Sequence, residues 1–140
     1  MKFRQANLAD SHILTELNQQ LIRDEGHRNR MTPTELEARM QGWLVGEYEA
    51  HLFELDTTII GYALYRRDPD CIYIRQFFIR PEYRRQGHGR FAFNWLAQHV
   101  WTDQRLRLEV LVGNHAGIAL WRSLGFADYC ITMERDDSTS

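Results

Sequence analysis

Apolar residues recur along this chain with two different periods. In DSHILTELNQQLIRDEG, Ile13, Leu14, Leu17, Leu21 and Ile22 share one side of a 3.6-residue repeat, which predicts an amphipathic helix. Asp10 or Ser11 can cap its start and Gly26 can end it. TPTELEARMQGWL predicts a second helix. Thr32 stands at the N-cap, Pro33 at the first helical position and Glu35 where it closes a capping box, while Leu36, Met40, Trp43 and Leu44 share a face. The polar RDEGHRNRM between them reads as a loop.

The period then shortens. KFRQA near the start alternates, as a strand does. AHLFEL, TTIIGYALYRR and DCIYIRQFFIR are rich in β-branched and aromatic residues, and DTT and RDPD between them carry turn chemistry, so the three form an antiparallel meander. A helix follows from about Arg90 to Val100, then a strand in RLRLEVLV, a helix in NHAGIALWRSLG closed by Gly125, and a last strand in FADYCITMER. The order β-α-α-β-β-β-α-β-α-β, with helices interleaved among strands, predicts a mixed α/β (α+β) fold around one sheet.

Length and composition narrow the class. The chain has 140 residues, which suits one compact domain over 1–135 with a polar tail over 136–140. It is 44% hydrophobic and 26% charged, as a globular protein is. A net charge of -2 argues against a dedicated nucleic-acid binder. Cys71 and Cys130 make neither a disulfide framework nor a Cys-x-x-Cys metal or redox pair, and no metal site is expected. No signal-peptide core and no apolar run of membrane-spanning length is visible, so the expected location is the cytoplasm.

The chemistry concentrates in IRPEYRRQGHGRFAFNWL. A strand runs into a glycine turn and then a helix, which aims free backbone N–H groups at one point at the positive end of the helix dipole. Such a point binds phosphate. Gly87 and Gly89 have no Cβ to hold a bulky anion off, and Arg84, Arg85 and Arg90 add matching charge. No Gly-Lys-Ser/Thr follows, so this is not a P-loop, and Ala92 holds the third place of a G-x-G-x-x-G pattern. Ordinary tight turns and solvated arginine clusters give the same letters, so the segment alone does not decide the matter.

Two segments together do more. FFIRPEYRRQGHGRFAFNWL resembles motif A of the GNAT superfamily of N-acetyltransferases: Arg84, Gly87 and Gly89 fill its fixed places and Ile79, Pro81 and Tyr83 its lead-in. LEVLVGNHAGIALWRSLGF resembles motif B, through Asn114, Leu120, Gly125 and Phe126. The motifs fall in the family's order and separation, and the element order matches along nearly the whole chain.

The resemblance implies a mixed, mostly antiparallel sheet with helices on both faces, and acetyl transfer from acetyl-CoA directly to a primary amine. It implies that the turn amides of Arg85, Gln86, Gly87, His88, Gly89 and Arg90, with Arg84, hold the CoA pyrophosphate. Phe77, Phe78 and Ile79 would pair with the pantetheine arm, and Asn114, Gly117 and Trp121 would meet it from the following helix. Trp121 stands where the family's usual tyrosine acid would be, and an indole is no proton donor at neutral pH. Tyr129 is therefore a candidate acid, with Tyr83, a water or no acid as alternatives. The strand carboxylate Glu109 is the candidate base, although a paired surface residue reads the same way. Asp24, Glu25 and His27 would border the acceptor and tilt it slightly toward a small cationic amine, with a protein amine also open. The short C-terminal part and the family together point to a homodimer. The alternative is a GNAT-fold module that binds acyl-CoA with little or no catalysis, motivated by Trp121.

Overall fold

The computed structural model describes residues 1–26 and 28–137. The chain forms two compact units, Met1–Glu109 and Val110–Ser140. In the first, five strands lie in the order β1-β2-β3-β4-β5. They are β1 (Lys2–Gln5), β2 (Tyr48–Leu55), β3 (Thr58–Arg67), β4 (Ile72–Ile79) and β5 (Leu106–Leu108). The first three pairings are antiparallel and β4 with β5 is parallel. The helices of this unit are α1 (Ser11–Asp24), α2 (Pro33–Val45) and α3 (His88–His99).

Alternation along the strands sorts side chains onto two faces. Tyr48, Ala50 and Leu52 of β2, Tyr62 and Leu64 of β3 and Phe78 of β4 pack with Leu14 and Leu17 of α1 and Met40 of α2. The other face takes aromatics. The Tyr65 ring lies 5.3 Å from that of Trp101, just beyond α3, and Trp95 of α3 stacks 4.2 Å from Phe3. Helices therefore cover both faces, as the resemblance implies. Each fully buried leucine contributes about 1.5–3 kcal/mol by leaving water.

Local chemistry agrees with this layout. Thr32 accepts from Glu35 N at 3.2 Å while Glu35 Oε1 accepts from Thr32 N at 2.8 Å, so the expected capping box starts α2. The β2–β3 turn holds Asp56 and Thr57 at φ 48° and 66°, the left-handed pair that matches strand twist. Asp10 stands before α1 but gives it no side-chain cap. Its carboxylate instead accepts from Asn7 N at 2.9 Å and pairs with Arg4, closing a capping box on the short 3₁₀ turn Leu8–Asp10.

Two strand expectations are corrected. RLRLEVLV forms a ladder only over Leu106–Leu108, because β4 carries no pairing with it beyond Ile74. FADYCITMER holds no strand among the described residues, since no neighbouring strand pairs with it. The order observed ends with α4 (His115–Ser123) in the second unit. Among the described residues no helix is long and apolar enough to cross a membrane.

Candidate active site

The centre of the first unit is a place where two strands part. The β4–β5 ladder runs only from Ile72 opposite Leu106 to Ile74 opposite Leu108. Beyond it, Gln76, Phe77, Phe78 and Ile79 hydrogen-bond to β3 on one side only. At the parting point the register slips: Tyr65 faces Ile74 and Leu64 faces Gln76, leaving Arg75 as a bulged extra residue. The bulge turns two successive side chains onto the α1/α2 face. Arg75 reaches Trp43 and Tyr48, and Gln76 accepts from the Tyr62 hydroxyl at 2.7 Å. The open edge keeps backbone groups available to an extended ligand.

This edge ends at the glycine turn. Pro81–Tyr83 makes one 3₁₀ turn, Arg85 has φ 62°, and Gly87, at the N-cap of α3, has φ 82°. A Cβ at Gly87 meets open space, so glycine is favoured there by its left-handed backbone rather than by crowding. A Cβ at Gly89 comes no nearer than 3.7 Å to Ile79 Cγ1. Among the described residues no side chain caps α3. The N-terminal amides and positive dipole end of a 12-residue helix therefore lie beside a turn that has no Cβ at Gly87 and Gly89, which fits a pyrophosphate.

Arg84 is also engaged within the protein. Its Nε donates to Ile79 O at 2.8 Å, its guanidinium hydrogen-bonds Asp24 Oδ2, and it lies 5.2 Å from the Phe78 ring centre. It clamps the end of β4 to the end of α1. Arg80 is similarly engaged, donating to Ile59 O at 2.8 Å and to Glu16 at 3.2 Å. Asp24, expected to face the acceptor, is thus held by Arg84. Glu25 also has a partner, and His27 lies outside the described residues. A hollow of about 160 Å³ between α1 and α2 is lined by Gln19, Ile22, Arg23, Met31 and Leu36, with no carboxylate among them.

Glu109 directly follows β5 and accepts a hydrogen bond from the Tyr73 hydroxyl at 2.7 Å. Burial first, and the neighbouring carboxylate second, push the Tyr73 phenol up to about 12. Sequence reasoning missed Tyr73, Arg75 and Gln76. Periodicity marked a strand there, but only the bulge turns Arg75 and Gln76 onto one face at the parting point.

The second unit is built around α4. Asn114 caps it, accepting from Gly117 N at 3.0 Å. A Cβ on residue 117 would stand 2.5–3.0 Å from the Asn114 side chain, so glycine at this place lets the cap close. Trp121 packs edge-on against Phe126, with ring centres 5.6 Å apart. Gly125 ends the helix at φ 97°, and Tyr129 is exposed. Among the described residues no group of three or more His, Cys, Asp or Glu stands together to hold a metal ion.

Comparison with known proteins bears on this geometry. A search of curated proteins returned no match. Among solved structures, the chain is similar to a possible acetyltransferase from Clostridium difficile 630, with TM-score 0.77 and 17% identity, covering 99% of this chain and 98% of that one. It is also similar to a predicted acetyltransferase from Clostridium acetobutylicum solved with acetyl-CoA, with TM-score 0.77 and 18% identity over 96% and 95% of the two chains. A third is the ribosomal-protein-alanine N-acetyltransferase from Brucella melitensis biovar Abortus 2308, with TM-score 0.75 and 16% identity over 97% and 100%. At such identities these likenesses establish the fold. The model of the Acetyltransferase (GNAT) family matches residues 14–126, across the glycine turn and α4. The chain belongs to the GNAT acetyltransferase family and is an acyltransferase by that membership.

Proposed function

We propose that this protein transfers the acetyl group of acetyl-CoA directly to a primary amine, with residues 1–135 acting as one catalytic domain in the cytoplasm. The observation that carries the reading is a one-sided edge of β4 leading into an uncapped helix N-terminus at Gly87. An extended pantetheine arm matches the edge, and a pyrophosphate matches the amides of Arg85, Gln86, Gly87, His88, Gly89 and Arg90. Phe77, Phe78 and Ile79 flank the arm. Acetyl-CoA supplies an activated thioester. A backbone amide of β4 near the bulge donates to the thioester oxygen as charge develops there.

The amine must be neutral to attack. Glu109 takes its proton, and the Tyr73 hydroxyl on Glu109 holds that carboxylate in place. The new N–C bond forms as the C–S bond breaks, and the thiolate leaves with a proton from Tyr129 or water. Holding both reactants at one parting point provides much of the rate. The family's second motif implies a role for Asn114, Gly117 and Trp121 toward the same cofactor. The Brucella relative is by its name an acetyltransferase of a ribosomal protein's alanine, which keeps a protein amine among the acceptors to test.

The test is turnover. Purified protein with acetyl-CoA and a panel of primary amines should release CoA thiol well above the rate of thioester hydrolysis, and Glu109→Gln should lower kcat by about tenfold to a thousandfold. Acetyl-CoA binding with no turnover of any amine would favour the acyl-CoA-binding module instead.

A further inference from the structure

Beside the bulge, two cations share one ring. Arg39 of α2 and Arg75 of β4 both stack on Trp43, their Cζ atoms 4.4 Å and 4.7 Å from its centre. Arg75 also donates to the Tyr48 hydroxyl at 3.4 Å. Neither arginine has a carboxylate partner among the described residues. Their neighbour Arg66 is different, pairing with Asp68 at 2.7 Å. Arg39 is partly buried, and both that burial and the charge of Arg75 lower its pKa. Two like charges are thus held together without an anion between them.

A second observation lies at the same spot. Arg39 donates one NH2 to Asn18 Oδ1 at 3.2 Å, but Arg39 Nε is a buried donor with no acceptor. Buried donors are nearly always satisfied, and an orphan on one of two cations without an anion calls for a missing acceptor. A carboxylate supplies two oxygens in the plane that a guanidinium fork matches.

We propose that the acceptor is a primary amine that also carries a carboxylate, and that Arg39 and Arg75 bind this carboxylate. The proposal rests on the acetyltransferase reading, under which the amine must arrive where β4 leaves β5, beside Arg75. It replaces the cationic-amine tilt, since Asp24 is held by Arg84 and the α1–α2 hollow has no carboxylate lining it. The arginines also disfavour an ammonium nearby, which assists loss of the amine's proton.

The experiment uses paired acceptors: glycine, β-alanine, 4-aminobutanoate and lysine, each beside its carboxamide, with acetyl-CoA and thiol release as the readout. The acid of at least one pair should exceed its amide in kcat/KM by about tenfold or more. Arg75→Gln and Arg39→Gln should each raise KM for that acid and bring the ratio toward one, with acetyl-CoA affinity unchanged. Amides that match their acids, or a ratio that survives both substitutions, would overturn the proposal. Binding gives a readout independent of turnover. The N-acetyl derivatives of the same acids and amides are titrated with and without CoA. Tighter binding of an acid, lost in Arg75→Gln, supports the site. No preference in either arm overturns it, whatever acetyl-CoA does. Failure of acetyl-CoA itself to bind would overturn the transferase reading instead.

Discussion

At position 51 a histidine sits inside the sheet, its Nδ1 3.0 Å from the Tyr65 hydroxyl and its ring 6.3 Å from that of Trp95. Burial lowers its pKa, with Glu49 opposing and Arg67 adding to the shift. In the unfolded chain the ring titrates near about 6.5. Above that pH it is neutral in both states and its full contribution to stability is present. As pH falls through that value toward the lower folded pKa, the unfolded chain takes the proton first and stability is lost. The melting temperature should therefore fall between neutral and mildly acidic pH, and less steeply in His51→Gln. Equal slopes would show that His51 is not the group responsible. The same scale shows what letters conceal. Gly87 and Gly89 were legible as a turn because glycine leaves few other readings. Arg84 was legible as a charge near that turn, but its hydrogen bonds to Ile79 O and Asp24 depend on where β4 and α1 end in space.

Between elements, β4 is the decisive strand. It carries the bulge, the one-sided edge and the lead into α3, and β3 must approach it closely to hold that shape. A Cβ on Gly61 of β3 would stand 2.1 Å from Phe78 O, so the two backbones would have to separate. Gly61→Ala should cost about 1–3 kcal/mol or more in denaturant unfolding. In Gly89→Ala the Cβ meets only ordinary contact, so stability should be retained. A Gly61→Ala protein as stable as the parent would contradict this packing. The meander of β2, β3 and β4 was readable from alternation and turn residues, and α2 from its capping box. The length of β5 was not, because a run such as RLRLEVLV carries no mark of where its partner leaves. FADYCITMER has strand-like alternation for the same reason, yet a strand exists only where a ladder pairs it. Arg39 and Trp43 stand one turn apart on α2, but Arg75 is distant in sequence and meets them only through the fold.

Across the whole molecule, the family was legible because two motifs and an element order coincide, and the family match over residues 14–126 agrees. The proposed acceptor site was not legible, because its side chains come from α2, β2 and β4. The second unit leaves Tyr129, Ile131 and Met133 exposed at 73%, 78% and 84%, an apolar edge of the molecule, outside any strand, that the expected homodimer would cover. Sedimentation at micromolar concentration should give a dimer, and Ile131→Lys should shift it toward monomer. A monomer at all concentrations would remove the role of that edge. The most direct measurement is calorimetric titration of acetyl-CoA into the parent protein and into Gly87→Glu, with the fold of each checked by its melting curve. The parent should bind at micromolar affinity or better. Gly87→Glu should lose binding while staying folded, because it sets bulk and negative charge where the pyrophosphate would lie. No binding by the folded parent, or equal affinity in Gly87→Glu, would contradict a cofactor site at this turn.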